Sequence, residues 1–228
     1  MVKVVLFDYD GVVNFAPEMF SQRISQRKPE LEITWEKDLK SFFTQIFPLC
    51  KTGKRDLKDE LSKIPENKNQ NENRNEPYFK LWGFENVDEL LEFWFSGEQY
   101  PFDKMLDLIK ELKKRNIKCC LATNNEKYII DYIISKGVGS YFDRVFSSAN
   151  LECMKPQREF YELVFNSLKG EDSTLQQDEV FYIDDEEENI ESAQNLGFKV
   201  FHMKCKDSFN ELYTILNKEL VRINGGNE

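Results

Sequence analysis

The sequence predicts an α/β fold: a Rossmann-like, mostly parallel sheet core with helices on both faces, plus an inserted all-helical cap. Three observations carry this. Short, nearly unbroken apolar runs recur along the chain, and such runs read as strands buried on both faces. From about residue 100 onward these runs alternate with apolar stripes at the helix period, the pattern of repeated helix–strand units. Between the first run and the next such helix, residues 14–97 show helical spacing and no strand pattern.

The first run, Val2 to Phe7, is broken only by Lys3 and stops at Asp8. In the insert, Trp35, Leu39, Phe42, Phe43, Ile46 and Phe47 share a helical spacing, as do Val87, Leu90, Leu91 and Trp94. Aromatic residues so spaced are expected to form the insert's own core; the alternative is that Trp35, Phe42, Phe43 and Phe47 line a substrate pocket. Residues 66–76 (ENKNQNENRNE) hold no apolar side chain and are expected to form a mobile loop or linker. Met105, Leu106, Leu108, Ile109 and Leu112 mark the next helix. Ile117 to Ala122 is the second strand and stops at Thr123-Asn124-Asn125. Ile129, Ile130, Ile133 and Ile134 mark a helix, and Arg144 to Ser148 a short strand. Phe160, Tyr161, Val164, Phe165 and Leu168 form another helical stripe. Val180 to Ile183 is the fourth strand and stops at Asp184-Asp185; Phe198 to Met203 is the fifth. Phe209, Leu212, Tyr213, Leu216 and Leu220 make a last helix, with Ser208 and Glu211 spaced as a capping box. The division expected is a core of residues 1–13 and 98–228 interrupted by a cap of residues 14–97.

Composition removes several function classes. Lys plus Arg number 31 against 41 Asp plus Glu, a formal charge of −10. That excess argues against sequence-independent binding of nucleic acid, which needs clustered cations, and against docking on an anionic membrane surface. A small anionic substrate stays open, because one cation or metal inverts the local field. No apolar stretch approaches the ~20 residues of a membrane span, and the N-terminus lacks the pattern of a signal peptide, so a cytoplasmic location is expected. Five cysteines without a CxxC pair are expected to be reduced thiols and not a zinc site. His202 is the single histidine, which rules out a His-based triad; within VFHM it is expected to be a strand residue.

The chemistry gathers just after the strands, where open parallel sheets bind ligands. Asp8 and Asp10 straddle the end of the first strand, and Gly11 permits a tight turn behind them. One such carboxylate can attack an electrophile while the other handles the proton. Thr123, Asn124 and Asn125 offer a hydroxyl and amide donors. Lys155 offers a cation, and Asp184, Asp185 and Asn189 follow the fourth strand. Asn14 and Phe15 lie close behind the acid pair and are candidates for substrate contact.

This set resembles the haloacid dehalogenase-like superfamily of hydrolases. Its first motif, DxDG followed by Thr or Val, is matched by Asp8-Tyr9-Asp10-Gly11-Val12. Its second, a Thr or Ser ending a strand, is matched by Thr123 in LATNN. Its third, a Lys commonly followed by Pro, is matched by Lys155 in MKPQREFY. Its fourth, an acid pair with an acid or Asn four residues on, is matched by Asp184, Asp185 and Asn189. The resemblance covers the chain except much of the insert, which looks like the alpha-helical cap class. It implies a Mg²⁺-dependent phosphatase acting on a small phosphorylated metabolite, for instance a sugar phosphate. It implies Asp8 as nucleophile, and Asp10 as general acid and base with its backbone carbonyl on the metal. It implies Asp185 as the side-chain metal ligand with Asp184 in or next to the ligand sphere. Thr123 and Lys155 would hold the phosphoryl group, with Asn124 and backbone amides near Tyr9 as secondary donors. Asn189, standing where the family often has an acid, would orient and not ligate. The name-giving dehalogenases lack the second acid of the first motif; Asp10 is present here, which favours phosphoryl transfer. The alternatives are a sugar-phosphate mutase with the same nucleophile, and a non-catalytic binding or regulatory module. A response-regulator receiver domain is excluded by length and by the order of its acids. Oligomeric state is open.

Overall fold

A computed structural model describes residues 1–27, 29–33, 39–65 and 75–221. Its centre is a sheet of five parallel strands: β1 (Val4–Phe7), β2 (Lys118–Thr123), β3 (Arg144–Ser147), β4 (Val180–Asp184) and β5 (Lys199–His202), in the spatial order β3-β2-β1-β4-β5. The α/β expectation and all five strand positions hold, with ends shifted by a residue or two. Val2 and Met203, just outside their strands, are fully buried all the same, so an apolar run marks burial more faithfully than it marks pairing.

Eleven α-helices surround or extend the sheet among the described residues. In the insert they are α1 (Phe20–Arg27), α2 (Phe47–Lys51), α3 (Leu57–Leu61), α4 (Tyr78–Leu81) and α5 (Val87–Ser96). Beyond it come α6 (Asp103–Lys114), α7 (Lys127–Ser135), α8 (Ser148–Leu151), α9 (Arg158–Glu171), α10 (Glu187–Leu196) and α11 (Phe209–Val221). The residues of β1 alternate between two apolar layers. Val5 and Phe7 join Met105, Ile109, Leu212 and Leu216 on one face. Val4 and Leu6 join Phe160, Val164, Ile190 and Ala193 on the other. Each such side chain contributes about 1.5–3 kcal/mol when fully buried, and the period-2 alternation of β1 feeds both layers.

The described part of the insert is helical, without a strand. Side chains set its helix starts: Asp56 accepts from Asp59 N at 3.1 Å to open α3, and Asn86 accepts from Glu89 N at 2.9 Å to open α5. The stripe expected from Trp35 to Phe47 forms a π-helical turn, Phe42–Ile46, running into α2, with Pro48 in the first turn of α2. Trp35 lies outside the described residues, as do residues 66–74 of the low-complexity stretch. The apolar layer on the Phe7 face continues without a break into Phe42, Trp82, Leu90 and Trp94 of the insert.

Ser208 closes a short 3-10 turn before α11, its hydroxyl 3.8 Å from Cys205 Sγ. All five cysteines are free; Cys205 is exposed and the other four are buried. No described helix is long and apolar enough to cross a membrane.

Candidate active site

Parallel pairing puts the chemistry on one edge. Phe7 lies opposite Leu121 on one side and Ile183 on the other. One residue further on, Asp8 and Asp184 therefore reach the carboxyl edge level with each other. Asp8 N donates to Ile183 O at 2.9 Å, which pins that level. Thr123 ends β2 next door, fully buried.

Lys155 arrives from the loop between α8 and α9. Its backbone is held at two points by one side chain: Lys155 N donates to Asn124 Oδ1 and Asn124 Nδ2 donates to Lys155 O, each at 2.9 Å. The Lys155 ammonium then bridges Asp8 Oδ1 at 2.8 Å and Asp184 Oδ2 at 2.6 Å, and it is only 2% exposed. Asn124 was expected to donate to substrate. Both ends of its amide are instead engaged with the Lys155 backbone, so it positions the lysine. The neighbouring Asn125 faces the site: its Nδ2 donates to Thr123 Oγ1 at 2.8 Å and lies 3.4 Å from Asp10 Oδ2.

Asp184 is fully buried and completely bonded. Its Oδ1 accepts from Glu186 N and Asn189 Nδ2, both at 2.9 Å, and its Oδ2 from Lys155 and the Tyr182 hydroxyl. Tyr161 donates to Asn189 O at 3.0 Å, so Asn189 is itself held. His202 sits on β5 as expected, and its Nε2 donates to Asp185 O at 2.8 Å.

Charge differs between the two acids that share Lys155. Burial alone would raise Asp184, but the lysine and the hydrogen bonds from Tyr182 and Asn189 hold it below the usual carboxylate range. Burial pushes Asp8 well above that range; Lys155 offsets this in part, while the Asp184 charge adds to it. Asp184 accepts more hydrogen bonds, which favours its charged form over that of Asp8. Burial, opposed and outweighed by the two carboxylates, leaves the Lys155 ammonium above its ordinary value.

Asp8, Asp184 and Asp185 each present an oxygen such that the three lie within 4.8 Å of one another. Gly11 makes this possible. Its φ is +75°, and a Cβ there would sit 2.2 Å from Asp185 Oδ2. A closely set group of carboxylate oxygens suits a hard divalent cation such as Mg²⁺ better than zinc.

The side of the site next to the insert is also built from polar contacts. Asn14, expected to touch substrate, is buried: its Nδ2 donates to Asp10 Oδ1 at 3.0 Å and to Glu98 O at 2.7 Å, and its Oδ1 accepts from Tyr100 N at 2.6 Å. It braces Asp10 against the chain leaving the insert. The Phe15 ring turns to Phe102, edge to face at 5.5 Å. Lys51, Glu98 and Glu126 line a cavity that opens at Asp10 and went unrecognised in the sequence. Lys51 and Glu98 lie in segments without a motif, and Glu126 follows the second motif without belonging to it, so no local pattern marked them. Phe43 and Phe47 pack against the insert's core, as expected, and also line the same cavity.

Burial pushes Glu98 and Glu126 up to about 7. Glu126 is 2% exposed and caps α7, accepting from Tyr128 N and Ile129 N. With its folded pKa raised, the folded state holds this proton more tightly than the unfolded one. Its stabilising contribution is complete below about pH 4.5 and is lost as pH rises through 7. Urea titrations from pH 4.5 to 7.5 should show Glu126→Gln removing up to about 1.4 kcal/mol per pH unit of that slope. An unchanged slope would contradict the placement of this carboxyl.

A model of the haloacid dehalogenase-like hydrolases matches residues 2–197. The chain belongs to this family. Among solved structures, this hydrolase is similar to a haloacid dehalogenase family enzyme from Bacteroides thetaiotaomicron, with a TM-score of 0.69 and 20% identity over 93% of this chain and 98% of that one. The wild-type form of that enzyme has been solved in complex with magnesium and inorganic phosphate, and matches with a TM-score of 0.66. A HAD-like family hydrolase from Porphyromonas gingivalis matches with a TM-score of 0.66 and 18% identity, over 95% of this chain and 98% of that one. At such identities these likenesses establish the fold. In sequence, (S)-2-haloacid dehalogenase of Pseudomonas sp. (strain YL) is 32% identical over 69 residues, which span 30% of this chain and 30% of that protein.

Proposed function

We propose that this hydrolase is a Mg²⁺-dependent phosphatase that cleaves a small phosphoric monoester through an aspartyl-phosphate on Asp8. The observation that carries the reading is Asp8 beside Lys155 and within the three-acid group, with the second acid, Asp10, two residues away. Residues 14–97 act as a cap over this edge, and closure would exclude bulk water.

Asp8 and Asp185 would hold the cation, joined by the backbone carbonyl of Asp10, with Asp184, whose oxygens already accept from Lys155, Tyr182, Glu186 and Asn189, next to it. Bound there, the cation supplies positive charge that offsets the repulsion between the Asp8 carboxylate and the phosphoryl oxygens. Lys155 and Thr123 hold phosphoryl oxygens, and Asn125 fixes the Thr123 hydroxyl. An Asp8 oxygen attacks phosphorus, the bond to the alcohol oxygen breaks, and Asp10 gives that oxygen a proton. Asp10 then takes a proton from the water that attacks the same phosphorus, releasing phosphate and restoring the Asp8 carboxylate.

Asp10 also separates this reading from dehalogenation. A halide leaves without a proton, so a carbon–halogen hydrolase has no use for an acid braced at the leaving-group side. Release of inorganic phosphate from p-nitrophenyl phosphate, present with Mg²⁺ and abolished by EDTA, is the expected result. Net phosphate release also separates a phosphatase from a mutase. Halide release from 2-chloropropionate without phosphatase turnover would overturn the reading.

A further inference from the structure

The cavity that opens at Asp10 is about 330 Å³ and has a distinctive wall. On the core side it meets Asp10 and Asn125; on the insert side it meets Phe20, Phe43, Phe47 and Trp94. These rings fix one another. Phe20 stacks on Trp94 with centroids 4.7 Å apart, and Phe43 and Phe47 meet Trp94 at 5.3 and 5.1 Å. The aromatic part of the wall is therefore set by ring packing.

The polar groups in the cavity are largely engaged with the protein. The Glu98 carboxylate accepts from Phe20 N at 2.7 Å and Trp94 Nε1 at 3.0 Å. Glu126 caps α7, and Asn125 serves Thr123 and Asp10. Lys51, at the end of α2, differs. Its ammonium lies 5.3 Å from the Phe47 ring centroid, and it lines the same cavity as Asp10. A polyhydroxylated sugar brought here would give up water at each hydroxyl and meet aromatic carbon in return, an unfavourable exchange. A ring gains from the same surfaces by burial and by stacking.

Resting on the phosphatase reading, we propose that the leaving group is an apolar, ring-bearing alcohol and not a sugar. Its ring sits among Phe43, Phe47 and Trp94, its ester oxygen lies at Asp10, and Lys51 is the cation that the insert contributes to the phosphoryl end.

Binding measured by calorimetry in the presence of Mg²⁺ tests this without requiring turnover. Benzylphosphonate should bind at least about tenfold more tightly than methylphosphonate or the phosphonate analogue of a hexose 6-phosphate. Phe47→Ser should reduce benzylphosphonate to the level of methylphosphonate, and the wild-type ranking decides the matter even if that variant does not fold. Lys51→Ala should weaken all three phosphonates by a similar factor; a loss confined to benzylphosphonate overturns the placement of Lys51. Equal or tighter binding of the hexose analogue overturns the proposal while leaving the phosphatase reading intact. Turnover is compared on benzyl phosphate and hexose 6-phosphate, whose alcohols are both alkyl and similarly poor leaving groups. Selective binding of benzylphosphonate with no turnover of either ester would support the cavity assignment and sink the phosphatase reading.

Discussion

Asp8→Asn is expected to lower kcat for any phosphomonoester by about three orders of magnitude or more, with the fold retained. The amide is nearly the same shape, but it offers no anionic oxygen to attack phosphorus. Its effect on stability runs the other way. Asp8 is buried beside Asp184, and burial together with that second charge disfavours its ionised form. The variant removes this repulsion, while Lys155 keeps Asp184 as a partner. The melting temperature should therefore stay level or rise, so lost activity cannot be ascribed to unfolding. Rapid-quench labelling should find a hydroxylamine-sensitive phosphoenzyme in the wild type and none in the variant. Retained turnover in Asp8→Asn would remove the nucleophile from the proposal.

Lys155→Met should be the most destabilising single change in the site. The ammonium is 2% exposed and stands between two carboxylates, at 2.8 and 2.6 Å. Removing one partner from a buried ionic group leaves uncompensated charge, at a cost of about 3–5 kcal/mol. The pH dependence identifies the cause. Without the lysine, both acids would have folded pKa values above their unfolded ones. The variant's stability should then be greatest at low pH and fall as pH rises through those values. A plain packing defect would show no such slope. Added Mg²⁺ should recover part of the loss by mass action, since it favours the folded state alone. Chemical denaturation at pH 5 and pH 8, with and without Mg²⁺, reads both effects. A loss of stability independent of pH would show that the cluster is not held by this charge.

Apart from Lys155, which comes from a loop between two helices, the motif residues were legible because each chemical group stands next to the end of an apolar run. Once the runs are read as parallel strands, the ends of β1, β2 and β4 must share an edge, and Asp8, Thr123 and Asp184 come together from three distant parts of the chain. The division of labour within the TNN segment was not legible. Asn124 and Asn125 are identical side chains one residue apart, and only the approach of the Lys155 loop decides which clamps a backbone and which faces the site. Asn14 likewise looked like a substrate contact by its position, but the return of the chain at Glu98 and Tyr100 engages it.

By itself the sequence determined the α/β class, the strand-end placement of the acids and the membership of the family. Apolar period and turn chemistry act over a few residues, so local pattern is enough to specify the class and the placement, while the membership rests on four short motifs and the family match. Only the tertiary structure decided the shape and lining of the cavity at Asp10. Its wall joins Lys51, Phe47 and Trp94 of the insert to Asp10 and Asn125 of the core. No spacing in the chain encodes that meeting, because it depends on how the insert's aromatic core continues into the layer that covers the sheet.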